Sequence, residues 1–185
     1  MRRVDVLKFL VQLRPDDLII CNIGDPSREL CSVRDAPHQF YMLGSMGLAS
    51  SIGLGLALSR PGRGVVAVDG DGAVLMNLGS LATLADQAPE GYLLLIIDNG
   101  VYGSTGGQPT CASRSADLAS IARGAGIRPV EVVSDEAGLE RALGSQRSGV
   151  LVAKVSPESA GGPVVDLAPR QIIDRFMAEC RRPCR

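Results

Sequence analysis

Short apolar runs alternate with helical stretches along the whole chain, and this alternation limits the possible folds more than any other feature. The clearest runs, 65–68 and 92–97, consist of β-branched and aliphatic residues and are too short for helices. Segments with helical spacing, such as 3–13 and 78–88, lie between such runs. The pattern predicts an α/β fold, a doubly wound parallel sheet with helices on both faces. Strands covered on both faces should be apolar on each side, as these are.

The same pattern gives boundaries for the remaining elements. It predicts strands over 18–21, 40–42, 65–69, 92–98, 129–133 and 150–155. It predicts helices over 3–13, 46–60, 78–88, 117–124, 135–144 and 169–181, and a further helix with Ser27 as its N-cap. Residues 100–116 read as a long functional loop, and residues 156–168 as a flexible linker before the C-terminal helix. We expect residues 1–185 to form a single domain.

Composition excludes several classes of function. With a net charge of −1 and 3% aromatic residues, the chain lacks the basic field and the stacking rings of a nucleic-acid-binding protein. No span approaches the roughly 18 apolar residues of a membrane helix. The cysteines are odd in number and form no CxxC pair, so free thiols in a reducing cytoplasm are expected. They are Cys21, Cys31, Cys111, Cys180 and Cys184.

Polar and glycine residues collect where two neighbouring strands should end. Gly70, Asp71 and Gly72 follow one strand, and Asn99 follows the next. In an open parallel sheet both ends face one crevice, where ligands bind. Carboxylate, amide and carbonyl oxygens suit Mg²⁺, while backbone amides at Gly72 and Ala73 could hold a diphosphate. The sequence therefore predicts a metal and phosphate site at this edge.

Other interpretations of these glycines explain the sequence less well. An EF-hand starting at Asp69 needs glycine where Val74 stands. A dinucleotide-binding fingerprint over 53–58 has Leu58 in place of the third glycine and falls within a helix. A tight strand–helix turn without a ligand remains the alternative, and Asn99 favours the metal site over it.

The strand–Gly-Asp-Gly–helix–strand–Asn arrangement resembles the cofactor motif of thiamine-diphosphate enzymes. The resemblance implies thiamine diphosphate and Mg²⁺ as cofactors. It also implies that the side chains of Asp71 and Asn99 and the carbonyl of Val101 bind the metal ion. Asp98 replaces the first asparagine of the family motif, a position that does not bind the metal.

Further blocks extend this resemblance over roughly residues 1–155. The resemblance implies that Met46 is the large apolar residue that wedges the cofactor into its bent shape. It also implies that the carbonyl of Gly44 accepts a hydrogen bond from the 4′-amino group of the cofactor and that the Met46 N–H donates to its N3′ atom. The stretches 24–30, 40–47 and 102–110 resemble the sulfopyruvate and phosphonopyruvate decarboxylases. The resemblance implies the following cofactor-binding residues: Gly44, Ser45, Met46, Gly70, Asp71, Gly72, Ala73, Asn99, Val101, Tyr102, Gly103 and Ser104.

The family resemblance implies a two-subunit enzyme that decarboxylates sulfopyruvate to sulfoacetaldehyde and CO₂. This chain would be its diphosphate-binding β subunit, because it has no room for the pyrimidine-binding domain that carries the activating glutamate. A separate α subunit in a hetero-oligomer would then supply that domain. We expect a small anionic 2-oxo acid as substrate, with Arg28, Ser104 and Thr105 as candidate contacts.

Several alternatives remain open from the sequence. The substrate could be phosphonopyruvate, the reaction could be carboligation, or the chain could be a cofactor-free scaffold or regulatory subunit. Arg28 could instead form a surface ion pair with Glu29 or Asp35, and His38, the one histidine, has no assigned role.

Overall fold

A six-stranded parallel sheet forms the centre of the computed structural model, which describes residues 1–182. Its strands are β1 (Leu18–Cys21), β2 (Gln39–Tyr41), β3 (Val65–Gly70), β4 (Tyr92–Asp98), β7 (Val130–Val133) and β8 (Gly149–Lys154). The order across the sheet is β2-β1-β3-β4-β8-β7, and every neighbouring pair is parallel. The predicted α/β fold is confirmed.

Helices cover both faces of this sheet. They are α1 (Arg3–Leu13), α2 (Asp25–Val33), α3 (Ala49–Ser59), α4 (Asp71–Met76), α5 (Gly79–Gln87), α6 (Leu118–Gly124), α7 (Glu136–Ser145) and α8 (Pro169–Cys180). Apolar side chains of α1, α2 and α7 pack on one face, and those of α3 to α6 pack on the other. Helix α8 packs beside edge strand β2, where the rings of Phe40 and Phe176 lie 5.4 Å apart.

Alternate residues of each strand enter the two apolar layers. In β1, Ile20 faces α3 and Ile19 faces α1; in β4, Leu94 and Leu95 divide in the same way. All four side chains are fully buried. Because both faces are dry, the polar residues of these strands are confined to their ends, and the carboxyl ends carry the candidate site.

The segment after β4 is more structured than the predicted loop over 100–116. Strands β5 (Val101–Tyr102) and β6 (Gln108–Pro109) pair antiparallel, and short 3₁₀ turns follow each of them. The hairpin is too short to give a recognisable alternation of apolar residues, so the sequence pattern does not reveal it.

Helix α2 begins earlier than predicted, and the assignment of Ser27 as its N-cap is wrong. Gly24 is the N-cap, with φ 79°, and Pro26 occupies the first turn, where its missing N–H costs nothing. The hydroxyl of Ser27 instead donates to the carbonyls of Asn22 and Cys21, at 2.7 and 3.2 Å. Ser27 thereby ties the helix to the end of β1.

The predicted linker, 156–168, contains no helix or strand but contacts the body of the protein. The backbone N–H of Ser156 donates to the carbonyl of Met1, and that of Ala160 donates to the carboxylate of Glu29. Its flexibility stays a prediction, as does the single domain.

Two further expectations concern the state of the cysteines and the presence of membrane-spanning helices. The four cysteines within residues 1–182 are free thiols, and Cys184 lies outside the described residues. None of the helices described in residues 1–182 combines the length and hydropathy that crossing a membrane requires.

Candidate functional site

A cavity of about 100 Å³ opens at the carboxyl ends of β1, β3 and β4. This is the edge at which open parallel sheets bind ligands. Most of the candidate site residues line it. The lining residues are Arg3, Asn22, Ile23, Asp25, Pro26, Met46, Gly70, Asp71, Gly72, Ala73, Ile97, Asn99, Val101, Tyr102, Gly103, Ser104 and Thr105.

Asp71 is the first residue of α4, and its side chain is buried in the cavity wall. The hydroxyl of Thr110, beyond the hairpin, donates to its carboxylate. Burial raises the pKa of Asp71, the Thr110 hydrogen bond opposes this rise, and the nearby Asp98 carboxylate adds to it. An ionised carboxylate here is therefore electrostatically expensive unless a cation compensates it.

Asn99 and Val101 lie on the chain between β4 and the hairpin. The side-chain oxygen of Asn99 accepts from the N–H of Val101 at 3.2 Å and keeps capacity for a second partner. Val101 pairs with Pro109, which has no N–H to donate to it. Carboxylate, amide and carbonyl oxygens thus meet at one cavity, a donor set that fits Mg²⁺. Within residues 1–182 no group of three or more His, Cys, Asp or Glu side chains could hold a metal.

Gly72 is required by a contact that the sequence does not predict. A Cβ atom at this position would lie 2.3 Å from Cε1 of Tyr102. The Tyr102 ring of the hairpin therefore packs directly on the α4 backbone and forms part of the cavity wall. Ala73, next along α4, is buried and also lines the cavity.

The loop before α3 approaches the same cavity from the side. Met46 is half-buried and lines it, whereas Gly44 and Ser45 are exposed and lie outside the cavity lining. Ser45 adopts a left-handed φ of 60°, and Gly47 has φ 89°. The amide of Asn77 donates to the Gly47 carbonyl at 2.9 Å, which fastens the loop to the end of α4.

The turn inside the hairpin supplies the remaining wall. Gly103, Ser104 and Thr105 line the cavity and are exposed. The Thr105 hydroxyl lies 3.1 Å from the side-chain oxygen of Gln108, and the Gln108 amide donates to the Thr105 carbonyl at 2.8 Å. These contacts fix the turn, and the Ser104 side chain lies at the cavity's edge.

Arg28 is not among the residues that line the cavity, and Arg3 of α1 lines it instead. Neither surface partner expected for Arg28 pairs with it. Arg3 binds Glu29 through two hydrogen bonds, of 2.9 and 2.8 Å, and Asp35 pairs with Arg175. The sequence gives no signal for the Arg3–Glu29 pair, because two helices must pack before it forms.

Asn22 and Asp69 are polar residues near the site that the motifs do not include. The side-chain oxygen of Asn22 is buried, and no donor among residues 1–182 reaches it. Burial raises the pKa of Asp69, at the end of β3, to about 7. The signal that could have singled out Asn22 is its place directly after β1, at the ligand-binding edge.

His38 lies at the opposite end of the sheet. It directly precedes β2, and its carbonyl accepts from the N–H of Ile19. Burial lowers the pKa of its imidazole, and Arg34 lowers it further. Because it lines a separate surface cleft with Arg63 and Asp16, it takes no part in the candidate site.

Known proteins share both the sequence and the fold of this site. The chain is 45% identical over 181 residues to a protein of Methanothermobacter thermautotrophicus named sulfopyruvate decarboxylase subunit beta, and the match covers 98% of this chain and 96% of that protein. It is 39% identical to a phosphonopyruvate decarboxylase of Streptomyces viridochromogenes, with 95% of this chain matching 45% of that protein.

A solved thiamin diphosphate-dependent enzyme from Mycobacterium smegmatis has the same fold. Its TM-score is 0.65 at 26% identity, covering 84% of this chain and 31% of that one. Residues 22–153 match the family model described as thiamine pyrophosphate enzyme, C-terminal TPP binding domain. This match spans the Gly70-Asp71-Gly72 turn, Asn99, the loop that contains Met46, and the hairpin. The chain therefore belongs to the thiamine pyrophosphate enzyme family, and residues 22–153 correspond to its C-terminal TPP-binding domain.

Proposed function

We propose that the chain is the diphosphate-binding β subunit of a thiamine-diphosphate-dependent decarboxylase that converts sulfopyruvate to sulfoacetaldehyde and CO₂. The observation that carries this is the single cavity in which the Gly70-Asp71-Gly72 motif, Asn99 and Met46 meet. The near-complete match to a sulfopyruvate decarboxylase β subunit gives the reaction.

In this proposal, Mg²⁺ is held by the Asp71 carboxylate, the Asn99 side-chain oxygen and the Val101 carbonyl. The fit rests on the buried Asp71 carboxylate, which a divalent cation would compensate. Backbone groups of Gly72 and Ala73, with the Ser104 hydroxyl, hold the diphosphate.

Thiamine diphosphate, when bound, supplies the electron sink for loss of CO₂. The chain's own residues would orient it: Met46 would support the cofactor, the Gly44 carbonyl would accept a hydrogen bond from its 4′-amino group, and the Met46 N–H would donate to its N3′ atom. The Tyr102 ring and the turn at Gly103 form one wall of the cavity. We place substrate contacts at Ser104 and Thr105, because they are exposed at the cavity mouth. Arg28 is a weaker candidate, since it lies outside that lining.

The activating glutamate is proposed to come from an α subunit that carries a pyrimidine-binding domain. The phosphonopyruvate decarboxylase supports this division, because this chain corresponds to less than half of its length. We also assign the complex to the cytoplasm, where the free thiols of residues 1–182 would stay reduced.

Reconstitution tests these proposals. The purified chain, alone and with the α subunit, is assayed for CO₂ release with thiamine diphosphate and Mg²⁺. We expect the pair to decarboxylate sulfopyruvate, the chain alone to be inactive, and chelation of Mg²⁺ to abolish turnover. Full activity of the chain alone would contradict the proposal that the active site is divided between two subunits. If a correctly assembled pair decarboxylates none of the 2-oxo acids tested, a scaffold role for this chain would be favoured.

Phosphonopyruvate is the second candidate substrate, favoured by the 39% identity to the Streptomyces viridochromogenes enzyme. Both acids carry a dianionic or anionic group beyond the oxo acid, so the same cavity mouth could accept either. The reconstituted pair is therefore assayed on both acids under identical conditions. We expect kcat/KM to be at least roughly tenfold higher for sulfopyruvate, a difference of about 1.4 kcal/mol in transition-state binding. A higher kcat/KM for phosphonopyruvate than for sulfopyruvate, or carbon–carbon bond formation as the main reaction, would contradict the proposed reaction.

A further inference from the structure

Thr110 lies at the base of the hairpin and contacts both parts of the metal site proposed above. It directly follows β6, and 1% of its surface is exposed. Its hydroxyl donates to Oδ2 of Asp71, the first residue of α4. Its backbone N–H donates to the carbonyl of Gly100 at 2.9 Å, and Gly100 lies between Asn99 and Val101. One residue thus connects the two chain segments that carry the three proposed metal ligands.

The neighbours of Thr110 restrict its position. Its carbonyl accepts from the hydroxyl of Ser113 at 2.7 Å, and a Cβ at Gly100 would lie 3.1 Å from that of Ser113. The turn that begins at Thr110 therefore packs closely on the backbone of Gly100, whose φ of 72° suits glycine. Thr110 is also β-branched, which leaves its side chain few rotamers. Its hydroxyl therefore has a restricted direction, toward Asp71.

The two carboxylate oxygens of Asp71 differ in their surroundings. Oδ2 accepts from Thr110, and no second side chain of residues 1–182 donates to the carboxylate. Asp71 also lines the cavity, so Oδ1 is the oxygen left for a ligand there. Without the hydrogen bond the carboxyl group would be able to turn about its Cβ–Cγ bond, because the χ2 torsion of aspartate is broad. Both oxygens would then be able to reach one ion.

Magnesium and calcium ions differ in how they use a carboxylate. Mg²⁺ demands near-ideal octahedral geometry at about 2.0–2.1 Å from its ligands. Ca²⁺ accepts about six to eight ligands at roughly 2.3–2.6 Å and often takes both oxygens of one carboxylate. A site whose carboxylate offers one oxygen in a fixed direction therefore favours the smaller ion.

We propose that Thr110 is a positioning residue that sets the metal preference of this site. By holding Oδ2 of Asp71, its hydroxyl makes the carboxylate a monodentate ligand and thereby favours Mg²⁺ over Ca²⁺. The inference rests on the proposed function for the position of the metal ion. It goes beyond that function because Thr110 is not itself a ligand and acts only through Asp71.

A purely structural role of the hydroxyl is the alternative explanation of the same contact. The buried Asp71 carboxylate needs a donor in the folded chain, and Thr110 supplies one. Loss of a merely structural donor would loosen the site and weaken the binding of either cation by the same factor. The ratio of the Mg²⁺ and Ca²⁺ affinities separates the two roles, because a general loosening cancels in that ratio.

Thr110→Val tests the proposal, because valine keeps the branched shape of threonine and removes the donor. The complex with the α subunit is stripped of metal by chelation and then titrated with Mg²⁺ or Ca²⁺ in a calorimeter at saturating thiamine diphosphate. We expect Thr110→Val to weaken Mg²⁺ binding roughly tenfold or more, as the loss of a residue that orients a metal ligand does. Ca²⁺ binding should weaken by less than about threefold, because this ion accepts both carboxylate oxygens.

Two further variants serve as controls. Thr110→Ser keeps the hydroxyl and should retain the wild-type preference for Mg²⁺ within about threefold. Thr83→Val makes the matched substitution at an exposed position of α5 and should change neither affinity. Urea unfolding of the metal-free chain measures separately how far each variant destabilises the fold.

Equal weakening of both ions in Thr110→Val, or unchanged binding of Mg²⁺, would overturn the proposal. A loss of preference in Thr110→Ser as large as that in Thr110→Val would also overturn it, because the methyl group would then be responsible. If the wild-type complex binds neither ion with the cofactor, the proposed metal site is rejected and the inference with it. If the complex shows the expected metal preference but does not decarboxylate sulfopyruvate, the inference is supported and the proposed reaction is rejected.

Discussion

Asp71 is held in the cavity wall at a cost to the fold. Its carboxylate is 1% exposed, receives a hydrogen bond from Thr110, and lies close to the Asp98 carboxylate. The ammonium of Lys154 pairs with Asp98 and relieves part of the negative charge. Asp71 has no ion pair with a cationic side chain among residues 1–182, so its negative charge would be compensated by the metal ion proposed above.

Replacing Asp71 by Asn should separate function from stability. Because burial raises the pKa of Asp71, its ionised form opposes folding. This penalty develops as the pH rises from the unfolded-state pKa of about 4 to the raised folded-state pKa, and it stays constant above that pKa. We expect Asp71→Asn to raise the free energy of unfolding at pH 8 by up to about 1 kcal/mol. Mg²⁺-dependent affinity of the complex for thiamine diphosphate should fall at least roughly 100-fold.

Urea unfolding and titration calorimetry measure these two effects. Asp16→Asn, an exposed carboxylate at the other end of β1, is the control and should change neither value appreciably. If Asp71→Asn leaves the affinity for thiamine diphosphate unchanged, Asp71 does not bind the metal ion.

At this scale the sequence predicts the residues that strand ends bring together, and it misses those that packing brings together. Asp71 and Asn99 follow adjacent parallel strands, so their proximity results from the register of β3 and β4. Arg3 reaches the cavity only after α1 has packed, whereas Asn22 directly follows β1 at the ligand-binding edge and could have been singled out from that position. Arg28 matched a family block but is positioned by its helix outside the cavity.

The Gly72 backbone of helix α4 lies in close contact with the Tyr102 ring of the β5–β6 hairpin. We expect Gly72→Ala to destabilise the chain by about 1–3 kcal/mol, because the ring must move with its hairpin. In a Tyr102→Ala background, where the space is open, the same change should stabilise the chain by up to about 1 kcal/mol through helix propensity. The sign of the effect therefore reverses between the two backgrounds.

A double-mutant cycle by urea unfolding measures this coupling. Gly79→Ala, at the start of α5 with nothing within 4 Å of its Cβ, is the matched control and should have the same effect in both backgrounds. If Gly72→Ala changes the free energy of unfolding by the same amount in the wild-type and Tyr102→Ala backgrounds, the ring and the helix are not in contact in solution.

Elements with many residues of one pattern are predictable from sequence, and short elements are not. Strands β3 and β4 are dry on both faces, so their apolar runs identify them. The two-residue strands of the hairpin are defined by hydrogen bonds that no local pattern encodes. The start of α2 depends on the φ of Gly24 and on Pro26, which outweighed the capping preference of Ser27.

At the scale of the whole molecule, the ligand edge of the sheet carries the cavity, and edge strand β2 is covered by the chain itself. Strand β2 is covered by this chain's own helix α8, through the Phe40–Phe176 contact and the ion pair between Arg175 and Asp35. Of the two edge strands, β2 and β7, the chain thus covers β2 with its own helix α8.

The Arg175–Asp35 pair should make the attachment of α8 dependent on pH. Arg175 donates to both carboxylate oxygens of Asp35, at 2.8 and 2.6 Å, and this lowers the pKa of Asp35, assisted by the Tyr41 hydroxyl. A carboxyl group with a lowered folded-state pKa stabilises the fold fully above its unfolded pKa of about 4, and the contribution is lost as the pH falls through the folded-state value. Because the pair is partly exposed, it contributes no more than about 1 kcal/mol.

We expect Arg175→Leu to lower the free energy of unfolding at pH 7 and to match the wild type more closely as the pH falls below about 4. Urea unfolding from pH 7 to pH 3 measures this convergence. Arg170→Leu, which removes an exposed pair within α8 itself, should have little effect at any pH. A difference for Arg175→Leu that is independent of pH would instead assign its stabilisation to the packing of the guanidinium over the Tyr41 ring, whose centroid lies 5.4 Å away.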